Sequence, residues 1–353
     1  MPLHAHQLPA AIARIIRDGA AIPAHPLALD AARRLDPHRQ RALTRYYLDA
    51  GADGLAVGVH TTQFAIREAG LYAPVLQLAA EATAEWTDQP RVLVAGIAGP
   101  TAQAVAEADT AVGLGCHAGL LSLSALRAAS EDELISHATA VAARIPLFGF
   151  YLQSSVGGRT LSSDFWRRFC QIENVIGIKI APFHRYRTLD VLRGVVAAGA
   201  EKRIALYTGN DDHIVLDLVT PFHIPRGPEI ITLRIRGGLL GHWSVWTKAA
   251  VDLYRACRAV PDGTPVPADL LARDSQVTAM NAAIFDVAND FAGCIAGCHE
   301  ILRRQGLLAG IWCLDPTEGL GPGQLGEIDR VCTLYRDLTD DAFVAANLDR
   351  WLA

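Results

Sequence analysis

Short apolar runs alternate with amphipathic helical stretches through the first 250 residues of the chain. This alternation constrains the fold most, because it implies parallel strands joined by crossover helices. The candidate strands are Ala21–Leu27, Gly54–Val59, Arg91–Ile97, Gly119–Leu123, Ile145–Leu152, Val175–Ala181, Arg203–Thr208 and a last one near Gly238–Val245. Eight strands in about 245 residues match a (β/α)8 TIM barrel of the α/β class, which we predict. A doubly wound open sheet is the alternative.

The intervening segments carry helix signals. Residues 100–113 and 130–143 have helical patterns, and Ser130 with Glu133 three positions later forms the capping-box signature of a helix N-terminus. After Val245 the pattern becomes purely helical, with the linker-like residues 261–269. We therefore predict a barrel domain over 1–260 and a helical C-terminal extension over 261–353, packed on the barrel.

Composition excludes several classes of protein. Charged residues make up 20% of the 353 positions, which argues against a disordered chain. The net charge is −5, so the chain lacks the excess of basic residues that is typical of nucleic-acid-binding proteins. No apolar run is long enough to span a bilayer, and the N-terminus lacks the apolar region of a signal peptide. We expect a soluble, cytoplasmic protein that does not partner nucleic acid or membrane.

Cofactor and metal signals are weak. No G-x-G-x-x-G motif follows the first strand, so a dinucleotide site is not expected, and we predict no cofactor. Cys294, Cys298 and His299 could suggest a metal site. Both cysteines, however, lie on an apolar stripe of steps of three and four, which predicts one long buried helix face from Val277 to Ile301. We predict core packing there and no metal.

Lysine is scarce, which singles out individual positions. Of the 32 basic residues, three are lysines (Lys179, Lys202 and Lys248) and 29 are arginines. Lys202 lies in a polar turn and Lys248 at the start of a helix, where solvated side chains are expected. Lys179 lies within an apolar strand, so its position requires another explanation.

Strand parity directs Lys179 into the barrel. In Val175–Ala181, period two places the three isoleucines toward the helices and Val175, Gly177 and Lys179 toward the interior. Burial lowers the pKa of an ammonium group. A neutral lysine amine is the nucleophile that forms a Schiff base with a carbonyl substrate. Lys179 is therefore the candidate nucleophile.

A tyrosine on the preceding strand is the candidate partner. If Gly149 faces inward, Tyr151 faces inward too and lies near Lys179, where it could relay protons. A packing role at the barrel rim is the alternative. A metal-dependent barrel is a rival interpretation, since His60, His184, His213, Asp211 and Asp212 follow predicted strand ends, although no HxH or HExxH spacing occurs.

The segment IPLFGFYLQSSVGGRTLSSDFWRRFCQIENVIGIKIAP resembles the centre of the dihydrodipicolinate synthase / N-acetylneuraminate lyase family. That resemblance implies a (β/α)8 barrel with C-terminal helices and class I aldolase or lyase activity. The family's Tyr-Asn-x-Pro tyrosine falls on Tyr151, and its Schiff-base lysine falls on Lys179. Further similar segments are GADGLAVGVHTTQF, AGIAGPTAQAVAEADTAVGLG, TGNDD with Gly209, and the eighth-strand pattern that includes Ser244.

The resemblance also implies substrate-binding residues, with departures. Thr61 matches the carboxylate-binding threonine and His60 takes the place of the relay threonine, whereas a one-residue slip would match Thr61 and Thr62 to the pair. The family's arginine position holds Val156, and Arg159 lies three residues on. The tyrosine pair after the fourth strand is absent, which indicates a second substrate different from that of the synthases.

These observations predict a Schiff-base lyase or aldolase for a pyruvate-like 2-oxo acid and an aldehyde. Lys179, Tyr151 and His60 would be catalytic, and Thr61, Thr62, Arg159, Gly209 and Ser244 would bind substrate. The alternatives are a metal-dependent barrel lyase or hydrolase, and a non-catalytic member that binds a small acid. The resemblance implies a homo-oligomer, a dimer or tetramer.

Overall fold

The computed structural model describes all 353 residues and contains an eight-stranded parallel barrel. Across this sheet, the strands that begin at Ala21, Gly237, Ala205, Val175, Leu147, Ala118, Val92 and Gly54 lie side by side in that order. The two ends of this sheet meet where Ala24 bridges Ala56 in parallel and the His25 N–H donates to the Ala56 carbonyl at 2.8 Å. This closure confirms the predicted (β/α)8 barrel, and the open doubly wound alternative is wrong.

The barrel strands are shorter than predicted at several ends. They are β1 Ala21–Pro23, β2 Gly54–Val57, β3 Val92–Ile97, β4 Ala118–Leu121, β5 Leu147–Leu152, β6 Val175–Ala181, β7 Ala205–Thr208 and β10 Gly237–Leu240. Beyond Leu240 the predicted last strand turns into a 3₁₀ helix over His242–Ser244. The first strand stops at Pro23, although burial continues through Leu29.

The helices follow the predicted alternation. They are α1 Ala10–Asp18, α2 Pro37–Asp49, α3 Tyr72–Trp86, α4 Thr101–Gly113, α5 Glu131–Ala142, α6 Ser163–Phe169, α7 Arg185–Ala197, α8 Ile214–Val219, α9 Thr247–Ala259, α10 Ala268–Ile284, α11 Cys294–Arg304, α12 Gln324–Leu334 and α13 Asp341–Trp351. The capping box at α5 is confirmed, since the Glu133 N–H donates to Ser130 Oγ and Ser130 N–H to the Glu133 carboxylate. No helix is both long and apolar enough to cross a membrane.

An antiparallel hairpin, absent from the sequence prediction, precedes the last barrel strand. Its strands are β8 Phe222–Arg226 and β9 Glu229–Leu233, which pair in antiparallel register. Phe222, Ile224 and Leu233 are buried, while the intervening side chains are largely exposed. Such a ribbon lies on the barrel surface with one apolar face inward.

Helix α1 closes the N-terminal end of the barrel. Its buried residues Ile12 and Ile16 belong to the same apolar cluster as the strand residues that fill the interior, such as Val94 and Leu120. The Ile16 carbonyl accepts a hydrogen bond from the hydroxyl of Tyr207 on β7 at 2.8 Å. One end of the barrel is therefore filled, and the other end is available for a site.

The C-terminal extension is helical and packs on the barrel, but the single long helix predicted there is wrong. The apolar stripe is divided between α10 and α11, and Asp286, Asp290 and Phe291 in the break have left-handed backbone, with φ of 55°, 51° and 67°. The Gln324 amide donates to the carbonyls of Ala283, Ile284 and Gly293, which flank the break. The spacing of apolar residues did not reveal the break, because steps of three and four continue through Val287 and Phe291, although Val287 is exposed.

Candidate active site

A pocket opens at the C-terminal ends of the barrel strands. Lys179 from β6 and Phe150 from β5 reach it, and the segments after β2 and β7 contribute Thr61 and Asp211. This is the end at which TIM-barrel enzymes carry their active sites. The C-terminal extension contributes Phe285, Phe291 and Cys294 to the pocket, and the sequence did not predict any of these as a site residue.

Lys179 is buried within this pocket, with 8% of its surface exposed. Its Nζ lies 4.4 Å from the centre of the Phe150 ring and makes no ion pair or hydrogen bond with the protein. A Cβ at Gly209 would stand 2.5 Å from Lys179 Cε, so the glycine provides the space for the lysine stem. Gly177, which strand parity placed on the same face as Lys179, makes room for the Phe148 ring.

The surroundings lower the pKa of Lys179. Burial is the larger cause, and the carboxylate of Asp211 in the same pocket partly opposes it by stabilising the ammonium form. A larger fraction of Lys179 is therefore a neutral amine near neutral pH than for an exposed lysine. Lys248, in contrast, forms an ion pair with Asp252 on the surface of α9, and Lys202 lies in an exposed turn.

Asp211 is the acidic group of the pocket. The backbone N–H of His242 donates to its Oδ1 at 2.9 Å, and the amide of Asn281 donates to its carbonyl at 2.6 Å. Burial raises the pKa of the Asp211 carboxyl, although the His242 hydrogen bond and Lys179 both lower it. The sequence placed Asp211 only in the rival metal set. Its position in TGNDD, directly after β7, is the signal that could have found it.

His60 and Thr61 follow β2 and line the same pocket. Burial, and then the charge of Lys179, lower the pKa of His60 to about 4, so its imidazole is neutral at physiological pH. Neither the backbone N–H nor the hydroxyl of Thr61 has a hydrogen-bond partner within the protein. Both Thr61 donors are therefore free for an anionic ligand.

A buried ion pair supports the strands beneath this loop. Arg67 pairs with Glu107 through two hydrogen bonds of 2.9 Å, and both side chains are buried. The Arg67 guanidinium also donates to the carbonyls of Gly58 and Gly96, at the ends of β2 and β3. These contacts hold the segment from which His60 and Thr61 project.

The predicted inward orientation of Tyr151 is wrong. Tyr151 pairs with Ile180 in the β5–β6 register, and its ring packs 5.3 Å from that of Trp166 on α6. The Tyr151 hydroxyl accepts from the Leu161 N–H at 3.2 Å. Gly149 also faces outward, since a Cβ there would stand 2.6 Å from the Phe169 ring. The inward side chain beside Lys179 is therefore Phe150.

A register shift between β5 and β6 explains why the predicted orientation of Tyr151 is wrong. Leu147 pairs with Val175, but Phe148 pairs with Gly177, so β6 carries one extra residue. This irregularity also places Ile176 in the interior cluster, although parity predicted an outward side chain. A bulge of one residue reverses the face on which every later residue of one strand stands relative to its neighbour.

Three further predicted substrate-binding residues lie outside the pocket. Thr62 donates to the His25 carbonyl at 2.7 Å and accepts from the Gly58 N–H, which braces its own loop. Ser244 donates to the Ala24 carbonyl at 2.5 Å beside β1. Arg159 donates to the carbonyls of Leu126, Arg127 and Ala129, which tethers the segment after β4. These contacts assign the three residues to loop support, whereas Thr61 and Gly209 line the pocket.

The residues of the rival metal interpretation divide between two places. His184, Asp212 and His213 line a second, polar pocket, where His213 Nδ1 lies 3.1 Å from the Asp274 carboxylate. His60 and Asp211 lie in the first pocket with Lys179. No group of three or more His, Cys, Asp and Glu side chains is placed to hold a metal ion.

Comparisons with known proteins agree with this architecture. The model of the dihydrodipicolinate synthetase family matches residues 20–220. No curated protein sequence matches the chain with significance. Among solved structures, a chloride-inhibited dihydrodipicolinate synthase from Acinetobacter baumannii, complexed with pyruvate, has a TM-score of 0.72 and 17% identity, covering 91% of this chain and 99% of that one.

Two other solved structures are similar to the same extent. The dihydrodipicolinate synthase of Bacteroides thetaiotaomicron has a TM-score of 0.70 at 16% identity and covers 90% of this chain and 98% of its own. CdNal from Clostridium difficile, in complex with mannosamine, has a TM-score of 0.69 at 16% identity, covering 90% and 99%. At these identities the structures establish the fold. The family match spans more than half of the chain, which therefore belongs to the dihydrodipicolinate synthetase family.

Proposed function

We propose that this protein is a class I, Schiff-base-forming aldolase or lyase that acts on a pyruvate-like 2-oxo acid. The observation that carries the proposal is Lys179, an unpaired lysine buried at the C-terminal end of the barrel with a lowered pKa. Membership of the dihydrodipicolinate synthetase family supports the same chemistry. One solved relative of the fold binds pyruvate.

Thr61 would orient the 2-oxo acid. Its free N–H and hydroxyl can donate to the substrate carboxylate, which would bring the neighbouring ketone carbon toward Lys179. Hydrogen bonds to a charged partner are stronger than neutral ones, and fixing the carbonyl beside the amine lowers the entropic cost of the reaction.

The covalent steps would then follow the chemistry of a neutral amine. The lone pair of Lys179 Nζ attacks the ketone carbon, and the ketone oxygen takes up a proton to give a carbinolamine. The carbinolamine loses its hydroxyl as water, which leaves a protonated imine. Loss of a proton from the adjacent carbon gives an enamine, whose carbon can attack an aldehyde. In the reverse direction, the same imine accepts the electron pair of the breaking carbon–carbon bond.

Asp211 and His60 would transfer the protons of these steps. The raised pKa of Asp211 allows this carboxyl both to donate and to accept a proton near neutral pH, and the neutral imidazole of His60 can accept one. Tyr151, which was expected to relay protons, is turned toward α6 and hydrogen-bonded to Leu161. We therefore assign the proton transfer to Asp211 and His60.

Reduction with borohydride tests the proposal directly. Incubation with pyruvate and borohydride is expected to raise the intact mass by one reduced pyruvyl group, and peptide mapping is expected to locate that group on Lys179. Incubation with pyruvate alone, without borohydride, is the control. An unchanged mass across a panel of 2-oxo acids would contradict the proposal.

Thr61→Val is expected to weaken binding of the 2-oxo acid. Valine preserves the shape of the side chain and removes one hydroxyl donor to the carboxylate. A hydrogen bond to a charged group contributes about 1.5–3 kcal/mol, so KM for pyruvate is expected to rise about 10- to 100-fold with a smaller change in kcat. Steady-state kinetics measure both. Thr110→Val, on the exposed face of α4, is the matched control, and an unchanged KM in Thr61→Val would rule out this role.

A further inference from the structure

The walls of the active-site pocket are unusually aromatic. Four of the ten phenylalanines of the chain line it: Phe150, Phe183, Phe285 and Phe291. Leu152 and Val156 extend the apolar surface from the end of β5. Aromatic rings pack favourably against other rings in offset or edge-to-face arrangements. These side chains therefore provide an aromatic surface near the Lys179 amine, against which a flat, apolar group can pack.

Lys179 and Asp211 are the charged residues that line the pocket. Lys179 is the single lysine that lines the pocket, and no arginine lines it. Arg159 is held away by three backbone carbonyls. Once Lys179 and Thr61 are engaged with a 2-oxo acid, no cation remains to pair with a second anionic group, and Asp211 would repel one. Burial of an unpaired carboxylate is costly.

The backbone holds two of these rings in place at the cost of strain. Phe183 and Phe291 have left-handed backbone, with φ of 48° and 67°, and their rings meet edge to face with centroids 6.0 Å apart. Phe183 follows β6, whereas Phe291 lies in the break between α10 and α11. Strained residues of this kind concentrate at functional sites. The C-terminal extension thus contributes to the recognition surface of the pocket.

We propose that the second substrate of this enzyme is an uncharged aromatic aldehyde. This inference rests on the proposed function, because the aldehyde reacts with the enamine on Lys179. The nucleophilic carbon of the enamine forms a bond to the aldehyde carbon, and the aldehyde oxygen takes up one proton. Water then hydrolyses the imine, which releases a 4-aryl-4-hydroxy-2-oxo acid and restores the Lys179 amine. The lyase direction cleaves the same bond.

The test compares benzaldehyde with succinic semialdehyde as second substrate at saturating pyruvate, with product quantified by chromatography. We expect kcat/KM for benzaldehyde to exceed that for the charged aldehyde by at least about tenfold. In Phe291→Leu, kcat/KM for benzaldehyde is expected to fall about tenfold, while borohydride trapping of pyruvate is unchanged. Phe343→Leu, on α13 against Tyr46, is the control outside the pocket.

The outcomes separate this inference from the function on which it rests. Pyruvate trapping together with a preference for succinic semialdehyde would overturn the aromatic assignment and leave the Schiff-base proposal intact. Equal loss of activity with both aldehydes in Phe291→Leu would also overturn it. Failure of pyruvate trapping in the wild-type protein would instead overturn the Schiff-base proposal itself.

Discussion

Replacement of Lys179 by methionine is expected to abolish the covalent adduct with pyruvate and to lower kcat/KM by more than about 10⁴-fold, the scale observed when a covalent nucleophile is removed. Methionine fills a similar volume but offers no amine. Lys179 Nζ forms no hydrogen bond or ion pair, and the Asp211 carboxylate keeps the hydrogen bond from the His242 N–H, so the fold should be retained. Trapping with borohydride and unfolding in urea measure the two effects.

Lys179→Arg distinguishes a role of the positive charge from a role of the amine as nucleophile. Arginine preserves a positive charge in the pocket but cannot supply a neutral primary amine. It should therefore be as inactive as the methionine variant if imine formation is required. Lys248→Arg, at the surface ion pair with Asp252, is the matched control. Substantial turnover in Lys179→Arg would show that the lysine acts by charge and not as a nucleophile.

Asp211→Asn is expected to lower kcat by about 10²- to 10⁴-fold, the usual contribution of a group that transfers protons. Asparagine retains an oxygen that can accept the hydrogen bond from the His242 N–H, so the local structure should persist. Asp212→Asn, in the second polar pocket, is a neighbouring control. Activity within about twofold of wild type in Asp211→Asn would contradict the catalytic assignment, since a proton-transfer role predicts a loss of at least about 10²-fold.

The pH profile of Asp211→Asn gives a second, independent result. The Asp211 carboxylate favours the ammonium form of Lys179 and so raises its pKa above the value that burial alone would produce. Its removal therefore lowers the pKa of Lys179 further, and the amine stays neutral to lower pH. The acidic limb of the kcat/KM profile should move to lower pH. A purely structural role for Asp211 predicts reduced activity with an unmoved limb.

The orientation of Tyr151 shows what strand periodicity can and cannot predict. Alternation in Leu147–Leu152 correctly indicated a buried strand with two faces. It did not indicate which face is inside, and the pairing of Phe148 with Gly177 reversed the assignment. Gly149 was expected to face inward, whereas it faces outward and provides space for Phe169 of α6. Which of the two alternating sets of side chains faces the interior depends on pairing with the neighbouring strand. That strand lies more than twenty residues away along the chain.

The C-terminal extension also has some features that the sequence predicts and others that only the structure reveals. Its helical character and its apolar stripe could be predicted from spacing. The break at Asp286–Phe291 could not, because Gln324, whose amide donates to the carbonyls on both sides of it, lies on a different helix, α12. Because of this break, Phe285, Phe291 and Cys294 line the pocket. A helix that was continuous through this segment would not place these side chains there.

The sequence by itself determined the barrel, the helical extension and the one lysine that a strand carries into the interior. These properties follow from local periodicity and from the rarity of lysine in an apolar strand, and both can be observed along a single chain. The tertiary structure decided that Phe150, and not Tyr151, lies beside Lys179, and that Asp211 shares its pocket. Those contacts depend on strand register and on burial by distant segments, which also shift the two pKa values that the proposed chemistry requires.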